Sequence, residues 1–155
     1  MLSVERLGVV LAPKDKEHAK FNAGMVKQGD KVHMLYRWSK STGIWTGERT
    51  GIRYAEDFVS YAELTPEGKL VSDLDDKGFI KYYIEDPKTP LYSQDPRIVE
   101  FEGEYIIFFV RWDLDLCKVG MARTKDFKKV EPIGIIPTTD WDKDAFILPE
   151  RINGK

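Results

Sequence analysis

The sequence contains one cysteine, no long apolar run and no excess of either charge. Cys117 alone can form neither an internal disulfide nor a thiolate zinc site. No window approaches the roughly 18 apolar residues of a membrane helix, and the N-terminus lacks the apolar core of a secretory signal. The 24 Lys and Arg residues nearly balance the 26 Asp and Glu residues, which argues against nucleic-acid binding. We therefore expect a cytoplasmic protein, with neither a membrane nor a nucleic acid among its partners.

The sequence also lacks any stretch of a dozen residues with a helical period, whereas strand patterns are frequent. Residues 31–38 and 104–112 are rich in β-branched and aromatic side chains, and each run follows a glycine-containing turn. Shorter runs of the same kind occur between them and after them. This pattern predicts an all-β fold.

Comparison of the chain with itself predicts a repeat. Residues 29–38 align without gaps on residues 103–112, 74 positions later, with Gly, Arg and Trp coinciding. Residues 51–58 align on residues 120–127, 69 positions later, and both segments end in Asp-Phe, which we interpret as a turn. Four antiparallel strands in each unit are typical of a β-propeller blade. Two similar hairpins in a β-sandwich are the alternative.

The repeat assigns all 155 residues to a single β-propeller domain. The blade-like units cover roughly residues 20–72 and 94–137, and a third unit begins over residues 143–155. Only two to three blades are therefore expected, which makes an incomplete propeller. Because an incomplete propeller has unpaired strand edges, we expect the chain to form homo-oligomers through them.

Polar residues stand at the start of three successive inner strands. Asp95 precedes Pro96, which favours an extended backbone at a strand entrance, although Asp-Pro is also common in ordinary turns. Asn22 occupies the corresponding place in the preceding unit, and Lys143 with Asp144 occupies it in the following one. Side chains of these types at one channel rim suit a hydroxyl-rich ligand, and a carboxylate fixed there can act as a general acid or base.

The remaining chemistry-bearing residues give weaker indications. His18 and His33 have no partners at metal-ligand spacing, so we expect no metal site and no cofactor. The four tryptophans are interpreted as blade packing, with stacking platforms for sugar rings as the alternative: Trp38, Trp45, Trp112 and Trp141.

Taken together, these segments resemble glycoside hydrolase family 130, the five-bladed β-propeller enzymes that include β-mannoside phosphorylases and β-mannosidases. The resemblance rests on residues 5–11, 21–23, 32–37, 95–99, 124–127 and 142–155. It runs through essentially the whole chain in order. Family members are about twice as long, which implies that this sequence corresponds to their N-terminal half.

The resemblance implies a role for each matching residue. Asp95 matches the general acid of an inverting reaction, whose proton reaches the glycosidic oxygen through a sugar hydroxyl in the phosphorolytic members. Asn22 and Arg37 match residues that bind the glycosyl group in the −1 subsite, and Asp144 matches a sugar-binding acid. Lys143 matches a basic position near phosphate, which is a co-substrate in those members. Gln94 departs from the family, which usually has an acidic residue there.

The resemblance therefore implies inverting phosphorolysis or hydrolysis of β-mannosidic linkages in mannooligosaccharides, and the sequence does not distinguish these two reactions. The chain alone is expected to be inactive if the missing half supplies necessary groups. Two alternatives stay open, namely a non-catalytic or sugar-binding incomplete propeller and another propeller glycosidase of the arabinofuranosidase type.

Overall fold

The computed structural model describes residue 6 and residues 8–41, 54–80, 82–83, 90–113, 116–137 and 141–154. These residues form two antiparallel sheets and one short 3₁₀ helix, Asp75–Lys77. The first sheet comprises β1 (His18–Gln28), β2 (Lys31–Ser41), β3 (Tyr54–Leu64) and β4 (Leu70–Asp73), in that order. The second comprises β5 (Tyr82–Tyr83), β6 (Pro90–Phe101), β7 (Glu104–Asp113), β8 (Leu116–Thr124) and β9 (Glu131–Ile135). The all-β prediction is confirmed.

Each sheet is a meander of neighbouring strands joined by short connections. The hairpin between β1 and β2 turns at Gly29, whose φ of 59° lies in the left-handed region that glycine adopts without strain. The hairpin between β6 and β7 turns at Glu102 and Gly103, which both have positive φ, 51° and 80°. Four consecutive antiparallel strands, β1–β4 and again β6–β9, give each sheet the layout of a propeller blade.

The hydrophobic core lies between the two sheets. Alternate residues of β2 point to opposite faces, so Leu35 and Val59 of the first sheet pack against Ile107 and Phe109 of the second. On the other face, a second cluster contains Met34, Tyr36, Trp38, Phe58, Ala62 and Leu64, and Val10 and Leu11 cover it. The first sheet is therefore buried on both faces.

A one-residue bulge interrupts the pairing of β1 with β2 and recurs in the second sheet. Phe21 pairs with Arg37 and Gly24 pairs with Leu35, so the bulge falls at Asn22 and Ala23. In the second sheet Gln94 pairs with Val110 and Arg97 with Phe108, so the bulge falls at Asp95 and Pro96. Bulges of this kind bend a strand and redirect its side chains.

The structure corrects the phase of the repeat that the sequence predicted. Asn22 and Asp95 are 73 residues apart, and the hairpin ends Gln28 and Phe101 show the same separation. Arg37 therefore corresponds to Val110 and not to Arg111. The chance coincidence of Gly, Arg and Trp in the alignment hid a slip of one residue, which in a strand exchanges the two faces.

The second predicted match, between two Asp-Phe turns, is wrong. Asp57 and Phe58 lie inside β3, where they pair with Ser39 and Trp38. Asp126 and Phe127 lie in the loop after β8. The two dipeptides share only a buried phenylalanine, since Phe58 and Phe127 each belong to a core cluster. The first dipeptide has a strand backbone and the second lies in a loop.

No helix in the described part of the chain has the length and apolarity that a membrane crossing requires.

Candidate active site

Three of the predicted site residues share an unusual backbone conformation. Asn22, Asp95 and Asp144 have φ values of 50°, 51° and 61°. Among residues other than glycine, Asn and Asp tolerate the left-handed region best. The bulges in β1 and β6 thus explain why the chain has Asn and Asp at these positions and why their side chains leave the regular alternation of the strands.

The structure brings Asn22, Arg37 and Asp95 into one cluster. The Asn22 Nδ2 group donates to Oδ1 of Asp95 at 2.7 Å. The Arg37 Nη1 group lies 3.4 Å from the same oxygen. Asn22 comes from β1, Arg37 from β2 and Asp95 from β6, so the cluster exists only because the two sheets pack against each other. Both donors favour an unprotonated Oδ1, so Asp95 is either ionised or carries its proton on Oδ2.

Arg37 is itself held by a carboxylate that the sequence analysis did not select. Its Nε and Nη2 groups both donate to Asp57. The Asp57 side chain is only 2% exposed. It also accepts hydrogen bonds from Ser39 Oγ and from Gln94 Nε2, each at 2.7 Å. The Arg37 guanidinium also lies over the Phe21 ring, with Cζ 4.9 Å from the ring centroid.

Burial disfavours the charged forms of both Arg37 and Asp57, and the hydrogen-bond partners of the two side chains oppose this effect on their pKa values. Burial raises the pKa of Asp57 above its ordinary value, and the Arg37 guanidinium and the Ser39 hydroxyl oppose this rise. Burial acts to lower the pKa of Arg37, but hydrogen bonds and charges from Asp57 and Asp95 outweigh it and raise that pKa. Arg37 is thus a permanent cation beside Asp95.

Asp144 joins the cluster indirectly. Its Oδ1 accepts from Arg97 Nη2 at 3.2 Å, and Arg97 Nη1 donates to the backbone carbonyl of Pro96 at 3.2 Å. Arg97 therefore links the Asp95 bulge to the segment that carries Asp144. The sequence predicted Asp144 but not Arg97 as a bridging residue.

Lys143 is exposed and lies beside Asp144 on a cleft of about 240 Å³. Cys117, Trp141 and Asp142 line the rest of this cleft. Trp141 is 60% exposed, and its segment is fixed by a hydrogen bond from the Asp142 amide to the Cys117 carbonyl at 2.9 Å. Lys143 and Trp141 thus border one open cleft.

Buried Cys117 lies under this end of the sheets. Burial raises the pKa of its thiol, and the charges of Lys143, Asp144, Asp142 and Asp95 act on it as well. A thiol with a raised pKa is a poor nucleophile. The hydrogen bond that Arg97, two residues after Asp95, donates to Asp144 places the segment that carries Lys143 next to the Asp95 cluster.

Gly24 allows the two bulges to meet. A Cβ atom at Gly24 would lie 2.8 Å from the carbonyl oxygen of Pro96. The residue is therefore a glycine because the backbone of β1 contacts that of β6 there, next to Asn22 and Asp95.

The tryptophan and histidine interpretations have mixed outcomes. Trp38 is buried, stacks on Phe58 and donates to Asp75, so its packing role is confirmed. Trp45 and the side chain of Trp112 lie outside the described residues, and Trp141 is exposed. His33 is buried in packing. Within the described ranges, no group of three or more His, Cys, Asp or Glu residues could hold a metal ion.

Two residues that the sequence analysis did not assign to the site, Asp57 and Gln94, complete the cluster. Asp57 was interpreted as a turn residue, and Gln94 was noted only as a departure from the family. The amide of Gln94 donates to Asp57, which a carboxylate at that position could not do unless protonated. The position of Gln94 immediately before Asp95 was the sequence signal that could have identified it as a site residue.

Comparison with known proteins agrees with this arrangement of sheets. No protein-family model matches the chain. The chain is similar to the β-1,2-mannobiose phosphorylase of Thermoanaerobacter sp. (strain X514), with 29% identity over 154 residues that cover 90% of this chain and 48% of the relative. It therefore spans about half the length of the curated relative it matches.

Two solved structures share the fold. The β-1,2-mannobiose phosphorylase from Listeria innocua, solved with β-1,2-mannobiose, matches with a TM-score of 0.71 and 17% identity over 93% of this chain and 52% of that one. A second structure comes from work showing that the GH130 family of mannoside phosphorylases contains glycoside hydrolases that target β-1,2 mannosidic linkages in Candida mannan. It matches with a TM-score of 0.60 and 17% identity, over 81% of this chain and 38% of that one.

The propeller architecture predicted from the repeat is confirmed, and the sandwich alternative is not needed. The chain is related to the β-1,2-mannobiose phosphorylases of glycoside hydrolase family 130 and corresponds to a part of their propeller that makes up about half of their length.

Proposed function

We propose that this chain carries the acid centre of an inverting enzyme that cleaves β-mannosidic linkages in mannooligosaccharides. The observation that carries the proposal is the convergence of Asn22 and Arg37 on Asp95 Oδ1. This cluster lies at a bulge where two blades meet, in a chain related to β-mannoside phosphorylases. A fixed carboxylate flanked by sugar-binding side chains is what protonation of a glycosidic oxygen requires.

The geometry assigns different tasks to the two oxygens of Asp95. Oδ1 accepts from two donors, so a proton there would meet one amide and one guanidinium hydrogen. The acid form therefore keeps its proton on Oδ2, which is the oxygen that delivers it to the leaving group directly or through a sugar hydroxyl. Asn22 and Arg37 hold the carboxyl group and provide donors for the hydroxyls of the bound glycosyl unit.

The second reactant approaches from the opposite face of the sugar. In phosphorolysis a phosphate oxygen forms a bond to the anomeric carbon, the glycosidic C–O bond breaks, and the Asp95 proton goes to the departing oxygen. Lys143 supplies an exposed cation for the phosphate, and Asp144 supplies an acceptor for sugar hydroxyls. In hydrolysis a water molecule takes the place of phosphate, and the role of Asp95 is unchanged.

The test is turnover of β-1,2-mannobiose by the chain and by Asp95→Asn, with and without inorganic phosphate. Mannose 1-phosphate among the products indicates phosphorolysis, and mannose alone indicates hydrolysis. Loss of the acid should lower the rate by at least about 100-fold. Asp30→Asn, in the exposed β1–β2 turn, is the matched control and should retain activity. Equal turnover by Asp95→Asn and the unaltered chain would contradict the role of Asp95.

A sugar-binding role without turnover is the second candidate, since the chain spans 48% of the relative's length. Calorimetric titration with β-1,2-mannobiose distinguishes the two. Binding that is weakened by Asn22→Ala, in the absence of any product, would support the second candidate. Turnover that depends on Asp95 would support the first.

A further inference from the structure

Asp57 is a buried carboxylate that binds the edge of the Arg37 guanidinium formed by Nε and Nη2. Asp95 lies on the other side, near Nη1. We propose that Asp57, held in place by Gln94, is a positioning residue that prevents Arg37 from forming a full ion pair with Asp95 and so keeps Asp95 able to carry a proton. This inference rests on the proposed function, because it concerns the acid form of Asp95.

The argument begins with the number of donors on Arg37. A guanidinium group opposite a carboxylate usually forms two parallel hydrogen bonds, and such a pair strongly favours the ionised carboxylate. Here Asp57 takes both Nε and Nη2, and only Nη1 remains directed at Asp95, at 3.4 Å. Asp57 also supplies a negative charge that offsets the positive charge of Arg37. Both effects reduce the pull of Arg37 on the Asp95 proton.

Asp57 can restrain Arg37 because other hydrogen bonds fix its own carboxylate in place. Ser39 Oγ binds its Oδ1, and Gln94 Nε2 binds its Oδ2. Ser39 lies on β2 of the same sheet, whereas Gln94 lies on β6, one residue before Asp95. The second sheet therefore holds the carboxylate that restrains Arg37 through the same bulged strand that presents the acid.

Several other titratable or charged groups lie near Asp95 and also influence its proton affinity. Arg37 and Asp57 face it from β2 and β3, and Arg97 lies on its own strand. Asp144, in the segment after β9, is paired with Arg97, and the Cys117 thiol of β8 lies within electrostatic range. Variants at Asp57 and Gln94 leave the described pairings of Arg97, Asp144 and Cys117 in place.

The test is a carbon-13 NMR titration of the Asp95 carboxyl in the full chain, assigned with Asp95→Asn. In Asp57→Asn, the uncompensated charge of Arg37 should lower the titration midpoint by about one pH unit, which is tenfold in proton affinity. In Gln94→Leu, which removes the Nε2 donor to Asp57 without changing any charge, Asp57 is held less firmly and Arg37 can pair more fully with Asp95, so the midpoint should also fall. A lower midpoint in the charge-neutral Gln94→Leu is expected only if the position of Asp57 governs how Arg37 pairs with Asp95.

Asp73→Asn is the matched control. Asp73 is also a partly buried carboxylate of the first sheet, but it binds Lys20 and Tyr36 rather than Arg37. Its loss should leave the midpoint of Asp95 unchanged. If Asp57→Asn does not fold, as judged by circular dichroism, Gln94→Leu alone still tests the direction of the shift. A midpoint that is unchanged in both variants, or one that rises in either, would overturn the proposal.

The readout separates this inference from the proposed function because it does not depend on turnover. Lower midpoints in both variants together with full activity of Asp95→Asn would refute the catalytic role and leave the positioning of Arg37 intact. Loss of activity in Asp95→Asn with no shift in either variant would refute the positioning role alone.

Discussion

At the scale of single residues, Arg37 is the side chain on which the site depends most. Its three nitrogens are divided between two carboxylates, Asp57 and Asp95. Lysine retains the charge but has one ammonium group and cannot reproduce the fork. We expect Arg37→Lys to lower the free energy of unfolding by about 1–3 kcal/mol, since buried Asp57 loses part of its hydrogen bonding. Urea denaturation at neutral pH measures this difference.

Arg123 offers a matched control for the same substitution. Its side chain is about half exposed and forms surface ion pairs with Glu104 and Glu131, of a kind that contributes little to stability. Arg123→Lys should therefore leave the denaturation midpoint almost unchanged. Equal losses in the Arg37 and Arg123 variants would show that burial of the Arg37–Asp57 pair does not matter to stability.

The residue scale also shows what the sequence could and could not predict about the site. Asn22 and Asp95 were selected as polar residues at equivalent places in the two units. Their predicted place at a strand entrance, with an extended backbone before Pro96, was wrong, because both lie at bulges inside strands and have left-handed backbones. Asp57 was not selected, because nothing in its neighbours distinguishes a buried mid-strand carboxylate from a turn residue. Its role depends on Arg37, Ser39 and Gln94 reaching it from two other strands, and only tertiary structure brings them together.

At the scale of strands and sheets, the repeat was predictable but its register was not. Strand composition and glycine turns sufficed to predict two four-stranded units. The alignment of Gly29 with Gly103 nevertheless failed, because the two hairpins place glycine at different turn positions, first in one and second in the other. Hairpin register follows the paired residues and not the glycine itself. The bulges at Asn22 and Asp95 are the more reliable markers of equivalence.

The contact between the two bulges leads to a prediction at Gly24. A methyl group there would lie 2.8 Å from the Pro96 carbonyl oxygen, and backbone cannot move aside as a flexible side chain does. We expect Gly24→Ala to destabilise the chain by about 1–3 kcal/mol and to weaken binding of β-1,2-mannobiose, because β1 and β6 would separate next to Asn22 and Asp95.

Thermal denaturation and calorimetric titration measure these two effects of Gly24→Ala. Ala23→Gly, at the neighbouring bulge position, tests whether the contact or mere flexibility matters, since it adds no atom. A Gly24→Ala variant with unaltered stability would show that the two strands can move apart without cost.

At the scale of the whole molecule, the junction between the sheets contains a buried histidine. His33 of β2 stacks on Phe127 of the loop between β8 and β9, with ring centroids 3.8 Å apart. Its ring nitrogens lie 2.8 Å from Tyr61 Oη and 3.2 Å from Gln28 Oε1. Burial lowers the pKa of His33 below its ordinary value of 6.5, while Glu63 and Lys31 act on it in opposite directions. The neutral ring is therefore the form that suits the junction.

This junction predicts a loss of stability in mild acid. Because the pKa of His33 is lower in the folded chain, the unfolded chain binds the proton more readily. The contribution of the neutral ring is complete above pH 6.5 and is lost as the pH falls from there towards the folded-state pKa. The stability advantage of the unaltered chain over His33→Gln, measured by urea denaturation, should therefore shrink between pH 7.5 and 5. An advantage that is constant across this range would contradict the prediction.

The outer end of the second sheet gives the molecule a surface suited to self-association. β9 is the last strand of its sheet, and Ile133 and Ile135 on it are exposed. Phe146, which is 66% exposed, and Leu148 add apolar surface in the segment that follows. Exposed strand edges with apolar side chains pair with other chains unless charge prevents it. We therefore expect the apparent mass from sedimentation velocity to rise with protein concentration.

Lysine on the edge of β9 tests whether that strand forms the contact. Ile133→Lys combined with Ile135→Lys should keep the chain monomeric at concentrations where the unaltered chain associates, because charged edge residues oppose pairing. Val9→Lys is the control, since Val9 is also exposed but lies outside every described strand, and it should associate as the unaltered chain does. If both variants associate to the same extent, the contact lies elsewhere, and if none of the three chains associates, the exposed edge of β9 is tolerated by a monomer.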